Sequence, residues 1–282
     1  MRLTNPNSEI FVPDGKPVEE ALRRTTHMAV GCHQDDLEIM SYDGILKCFG
    51  SEDNWYTGIV VTNGAGSPRD DLYANYTDEE MQKVRRVEQK KAAVVGEYAA
   101  CALLDYSSSA VKDPSNRSVV EDIKALILAA RPEILYTHNL ADKHDTHVSV
   151  ALRTLAALRE LPADAKPKAV YGCEVWRDLD WMVDEDKVAF DLARHENLAA
   201  ALLGVFDSQI CGGKRYDLAT IGRRRANATY YASHGTDVTT QMNFAMDLTP
   251  LVKDPSLSIK DYVAGYINRF ANEVLERLTK FI

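Results

Sequence analysis

Between about residues 27 and 176 the chain alternates short apolar runs with longer segments whose apolar residues recur every three or four positions. The short runs, 27–32, 58–62, 101–105, 134–137 and 169–175, have strand length and are bounded by polar turns. Thr77-Asp78-Glu79-Glu80 is a capping-box opening for a helix to about 98. Pro114, Ser115 and Asn116 precede a second helix that stops at 130, before Pro132, and a third runs from about 144 to 161 and ends at Pro162. Strands and helices in this alternation predict βαβ units, hence an α/β fold with a mainly parallel sheet flanked by helices. Beyond residue 180 the alternation fades into helical stretches at 189–206, 217–232 and 258–281. We therefore expect one domain over 1–282, with a core at about 27–210 and a helical C-terminal part at about 211–282. In the last stretch Ile259, Val263, Tyr266, Ile267, Phe270, Val274, Leu278 and Phe281 share one stripe, as in a helix packed on the body or on a neighbouring subunit.

Charge and composition narrow the partners. A net charge of −9 over 282 residues leaves no global basic field to recruit nucleic acid or an anionic membrane. The five cysteines, Cys32, Cys48, Cys101, Cys173 and Cys211, are widely spaced and form no CxxC pair, which fits free thiols in a reducing compartment. The N-terminal segment lacks an apolar core after Arg2, and no apolar run reaches membrane-spanning length. The expectation is a soluble cytoplasmic protein.

Candidate chemistry sits where two strands end. The run Met28-Ala29-Val30 leads into Gly31-Cys-His-Gln-Asp-Asp-Leu-Glu-Ile-Met40, so two adjacent carboxylates crowd the end of a buried strand. Such a pair loses water and repels itself, and a cation is the simplest compensation. A second polar cluster, from Thr137 to His147, leaves the strand at 134–137 in the same way. Ligands in parallel α/β sheets bind beyond the carboxyl ends of strands, so both clusters belong on one edge. His33 and Asp36, three apart, can face one point, and His147 near the start of its helix can supply a third donor. Two histidines and one carboxylate with an open fourth position is a catalytic zinc set. Asp35, aimed differently, can serve as general base, and His144, one helical turn before His147, can steady an oxyanion or protonate a leaving amine.

The pattern His33-x-Asp35-Asp36-x-Glu38, with Asp142-x-His144-x-x-His147 downstream, resembles the PIG-L/LmbE-like family of zinc-dependent N-acetylglucosaminyl deacetylases. The resemblance extends over about 27–210 through Thr62 to Gly66, Arg85-x-x-Glu88, Tyr171 to Trp176 and Ser208-Gln209. It implies a Rossmann-like fold, a metal held by His33, Asp36 and His147, a base at Asp35 and electrophilic help from His144. It also implies Zn2+ or another divalent metal as cofactor, an N-acetyl sugar or its conjugate as small-molecule partner, and a homo-oligomer, as trimer or hexamer. Two departures stand out. Gln34 replaces the family's usual proline, and its amide could reach the pocket and alter substrate choice. Thr146 replaces the aspartate usually found before the last histidine, which leaves Asp142 or Asp145 to orient His144.

Weaker signals have plain alternatives. Asn63-Gly-Ala-Gly66 can bring substrate-binding amides close, or only shape a pocket wall, and it lacks the full dinucleotide fingerprint. Arg85 is a candidate substrate contact or an ordinary helix-surface ion pair with Glu88. Arg223 to Arg225, with Lys214 and Arg215, make a basic patch that reads mainly as helix decoration. Rival functions are an esterase or phosphoesterase using the same centre, or a sugar- or nucleotide-binding protein without turnover.

Overall fold

The computed structural model describes residues 3–282, and its eight strands form one sheet in the order β1-β4-β3-β2-β5-β6-β8-β7. The strands are β1 (Glu9–Phe11), β2 (His27–Gly31), β3 (Tyr56–Thr62), β4 (Ala100–Tyr106), β5 (Ile134–His138), β6 (Ala169–Cys173), β7 (Val188–Asp191) and β8 (Met242–Asp247). Strands β2 to β6 run parallel to one another, while β1 beside β4 and β8 beside β6 pair antiparallel, and β7 pairs antiparallel with β8. The five parallel strands are the five runs that the hydrophobic pattern predicts.

Strand β2 pairs with β3 on one side and β5 on the other, so the chain order reverses there. The carboxyl ends of β2 and β5 flank that switch point, where connections leave in opposite directions and open a crevice. Every residue of β2 and β3 is buried, which is why these strands read as continuous apolar runs. Their side chains alternate between two cores. Met28, Val30, Ile59 and Val61 join one, and Ala29 and Val60 join the other with Tyr56, Tyr98 and Tyr136.

The helix punctuation holds. Thr77 accepts from the Glu80 N–H while the Glu80 carboxylate accepts from the Thr77 N–H, opening helix Asp78–Val95. Asn116 caps helix Arg117–Ala130, which ends at Arg131 in left-handed conformation, and helix Asp145–Arg159 follows the second polar cluster.

The C-terminal third departs from the pattern. The stretch expected as one helix at 189–206 is β7 followed by helix Glu196–Gly204, and β8 lies within the part expected to be helical. Met242, Phe244 and Met246 of β8 face one core while Ala245 faces the other, a period of two in a run short enough to pass as a helix fragment. The final helix, Ile259–Thr279, docks through Ile259, Tyr262 and Tyr266, and the Tyr262 hydroxyl donates to the Asp247 carbonyl at 2.6 Å. Its distal turns leave the body, with Leu275 60% and Leu278 53% exposed. Among the described residues no helix is long and apolar enough to cross a membrane, and all five cysteines are unpaired.

Candidate metal centre

The turn from β2 into helix Asp36–Met40 sets the site. Asp35 occupies a left-handed conformation, φ 95°, rare for a residue with a side chain. That twist separates the directions of two neighbouring carboxylates. The His33 N–H donates to Asp36 Oδ2 at 2.7 Å, turning that oxygen toward the β5 side. There His33 Nδ1 and His147 Nε2 lie 3.1 Å apart, and each lies 3.4 Å from Asp36 Oδ2. A tetrahedral ion with bonds of about 2.0–2.1 Å spaces its donors about 3.3 Å apart. The triangle therefore fits one divalent ion on the three residues predicted to hold it.

Neighbouring groups support these donors from behind. Cys32 Sγ lies 3.6 Å from His33 Nε2, but burial and the nearby Asp36 charge push its thiol pKa far up, so it stays protonated. His138, a residue to which the sequence assigns no role, packs its ring on His147 at 4.0 Å between centroids. Its Nε2 accepts from the Cys32 N–H at 2.8 Å, so it braces the first loop against β5. Asp142 Oδ2 lies 3.3 Å from His147 Nδ1, which leaves Nε2 free for an ion. Asp142 thus orients His147; its hold on His144 is through the backbone N–H, 3.1 Å from Oδ1. No hydrogen bond between Asp145 and the His144 ring occurs among the described residues.

The two carboxylates of the opening motif are driven apart electrostatically. Burial alone would raise Asp36, yet His147 and His138 hold its carboxyl well below the usual range. Asp35 is raised to about 7 by burial, against the pull of the Arg85 guanidinium and with the push of Asp36 and Glu38. Burial lowers His144, and His147 and His33 lower it further; its Nδ1 is buried and has no hydrogen-bond partner among the described residues. The fold thus lowers one carboxyl of the pair and raises its neighbour.

Arg85 is fully buried rather than on a helix surface. It donates to the Gln34 carbonyl and lies 3.4 Å from Asp35 Oδ2 and 3.7 Å from Glu88 Oε2. Glu88 in turn accepts from the Ser208 N–H and hydroxyl, both at 2.7 Å, which ties the 208–209 segment to the site. Gln34, expected to reach into the pocket, instead donates to the Thr62 carbonyl at 3.1 Å, buried beneath the cleft. Asn63, expected as a substrate contact, accepts from the Ala65 N–H at 3.2 Å and closes the glycine turn. Gly64 needs its φ of 75°, and a Cβ there would meet the Gln34 amide oxygen at 2.6 Å.

The triangle opens on a cleft of about 210 Å³, walled by Thr62, Gly64, Ser67, Trp176, Gln209 and Tyr216. Three ring contacts run outward through it: His138 on His147, His147 on His144 at 4.5 Å, and His144 with Trp176 at 6.4 Å, all near parallel.

The helix that carries Asp36 is held at its far end by distant residues. Arg224, fully buried, donates to the carbonyls of Glu38 and Ile39 at 2.8 and 3.1 Å, and the Asn243 amide donates to Ile39 at 3.3 Å. Glu38 accepts from Tyr98 and Gln89 at 2.7 and 2.8 Å, and the Gln89 side-chain oxygen Oε1 accepts from the Asp35 N–H at 3.3 Å. The basic patch dissolves in three dimensions. Arg223 donates to the Val175 carbonyl, Arg224 is core, and Arg225 and Arg215 face Glu196 and Asp217.

Residues 28–158 match the family model described as PIG-L: GlcNAc-PI de-N-acetylase. No curated protein matches the chain in sequence. Among solved structures, N,N'-diacetylchitobiose deacetylase from Pyrococcus horikoshii is similar at 14% identity and TM-score 0.63, over 84% of this chain and 88% of that one. A conserved protein from Thermus thermophilus is similar at 15% identity and TM-score 0.62, over 83% and 99%. The 4-carboxy-2-hydroxymuconate hydratase GalB from Pseudomonas putida is similar at 13% identity and TM-score 0.57, over 79% and 96%. At these identities the likeness establishes a shared fold.

Proposed function

We propose, for a chain that belongs through residues 28–158 to the PIG-L/LmbE-like family, that it is a metal-dependent hydrolase removing an acetyl group from an N-acetylated amino sugar or its conjugate. The reading rests on the donor triangle of His33, Asp36 and His147 beside a proton-exchanging Asp35. A divalent ion held by His33, Asp36 and His147 would supply Lewis acidity toward a carbonyl oxygen and would lower the pKa of a nearby water.

The protein's own groups supply the rest. Asp36 and the two imidazoles would hold the ion, with Asp142 favouring the His147 tautomer that presents Nε2. Asp35 takes a proton from the attacking water as the C–O bond forms. His144, on the cleft wall, presents a neutral imidazole N–H to the amide oxygen as negative charge grows there. When the C–N bond breaks, the proton held by Asp35 passes to the departing nitrogen, releasing acetate and a free amine. Arg85 keeps the Asp35 carboxylate in place without consuming it. The fold itself does not choose the reaction, since a hydratase shares it.

Acetate release from N-acetylglucosamine derivatives, with zinc added, tests the reading directly. Asp35→Asn is expected to keep the bound ion and lower turnover by about 10³-fold, and His147→Ala to lose the ion as well. Equal metal loss in both variants, measured by elemental analysis, would contradict the separate roles of base and ligand.

A further inference from the structure

We propose that the last helix carries a self-pairing surface, on which two copies of the chain dock antiparallel about a two-fold axis. The inference is independent of the chemistry at the metal centre. Helix Ile259–Thr279 has two distinct faces. Ile259, Tyr262 and Tyr266 pack on the body, and Arg269 extends that face by pairing with Asp186. Turned away from it, Ala264, Ile267, Ala271, Val274, Leu278 and Phe281 are all exposed. These six recur at alternating steps of three and four, the spacing of a coiled-coil seam, and none of them is polar. With Leu275, they expose apolar surface on the order of 700 Å², more than the patch of about 300–600 Å² usual on a monomer and close to the roughly 800 Å² that each partner gives a stable interface.

The order of side-chain sizes along the seam selects a second, reversed copy as its occupant. Reversing one helix sets Ala264 opposite the partner's Phe281, Ile267 opposite the partner's Leu278 and Ala271 opposite the partner's Val274. Each layer then joins a small side chain to a larger one or two of middle size, and the pair fills evenly along its length. A parallel pair would stack alanine on alanine twice, leaving voids, and press Phe281 against Phe281. On one flank of the reversed pair Phe270 meets the partner's Arg277, a cation over an aromatic ring. Reversal also sends the bodies of two chains, each of net charge −9, to opposite ends of a seam about 26 Å long, well beyond a screening length of about 8 Å. The same net charge works against an anionic membrane as the occupant.

Sedimentation equilibrium of the full chain over a range of concentrations tests the pairing. The mass is expected to double with concentration, with a micromolar Kd or tighter. Leu278→Glu is expected to raise that Kd by at least about 30-fold, as loss of a central apolar anchor does, with far-UV circular dichroism checking that its helices persist. Val87→Glu, the same kind of change at an exposed apolar residue of helix Asp78–Val95, is expected to leave the Kd unaltered. Orientation is read from disulfide formation on a Cys211→Ser background, in which the four other cysteines are buried. A mixture of Ala264→Cys chains and Phe281→Cys chains is expected to cross-link one kind to the other, and neither kind to itself. A chain that stays monomeric at every concentration, an assembly that Leu278→Glu leaves intact, or self-cross-linking by either cysteine variant overturns the proposal. So does a monomer that binds neutral phosphatidylcholine vesicles and loses that binding in Leu278→Glu, which would make a lipid surface the occupant.

Discussion

The parallel half of the sheet and its antiparallel edge contribute to the site in different ways. The segments that follow β2 and β5, each a loop and the first turn of the next helix, supply every proposed ligand and the base. The C-terminal segments hold none of the proposed ligands; they supply Arg224 and Asn243, which grip the end of the Asp36 helix, and the part of the cleft wall at Lys214 and Tyr216. Short loops at strand ends can carry chemistry because the strands fix them rigidly. Grip and wall come from far along the chain, so they can vary without disturbing the donor set.

That division can be broken at the grip first. Arg224→Ala is expected to destabilise the fold by about 3–5 kcal/mol, because it opens a cavity and strips the Glu38 carbonyl of a donor. Asn243→Ala is expected to cost about 1 kcal/mol, and the two effects should couple by at least about 0.5 kcal/mol because both meet the Ile39 carbonyl. Urea unfolding of the two single variants and the double variant measures this, and strict additivity would mean they do not act on one helix end.

A subtler test uses Glu38, between grip and ligands. Burial raises its carboxyl to about 7 in the fold, against 4.5 for an unperturbed glutamate. Between those values the unfolded chain has released a proton that the fold retains, so stability falls as pH rises through the window and levels off above it. The loss amounts to up to about 3 kcal/mol in the metal-free protein. Glu38→Gln keeps an acceptor for Tyr98 and Gln89 and removes the titration, so its stability should depend less steeply on pH between 5 and 8. Parallel slopes for the two proteins would refute the assignment.

On the ligand side, Asp142→Asn should weaken zinc binding by about 10- to 100-fold, with little change in fold, since the His147 ring loses its anionic partner. Competition with a chelator reads this out. The smallest effect is expected farthest from both regions. Leu278→Glu, on a distal turn of the last helix, should shift the stability of the unpaired chain by less than about 0.5 kcal/mol in thermal unfolding at high dilution.

Legibility followed the same division. The five parallel strands stood out because burial on both faces makes each a continuous apolar run, and the capping box at Thr77 announced its helix through local hydrogen bonding alone. The strand β8 did not, because six residues cannot distinguish a period of two from a helical one. Arg85 read as a candidate substrate contact or half of a surface ion pair, because spacing along a helix does not reveal which face is covered. Gln34 and Asn63 were polar groups beside a cleft, and the backbone decided that both turn to carbonyl and amide partners instead. His138 was visible only as one more polar residue in its cluster; its bond to the Cys32 amide depends on the β2–β5 pairing.

By itself, then, the sequence determined the parallel α/β framework and where candidate donor residues cluster, because both depend on short-range patterns: alternation, caps, and histidines and aspartates at fixed spacing after strands. Tertiary structure alone decided which arginine of three is core and that Arg85 is buried beside Asp35. Those outcomes depend on burial and on distances between residues remote in the chain, and desolvation and Coulomb energies are set by where the fold brings groups together rather than by their order.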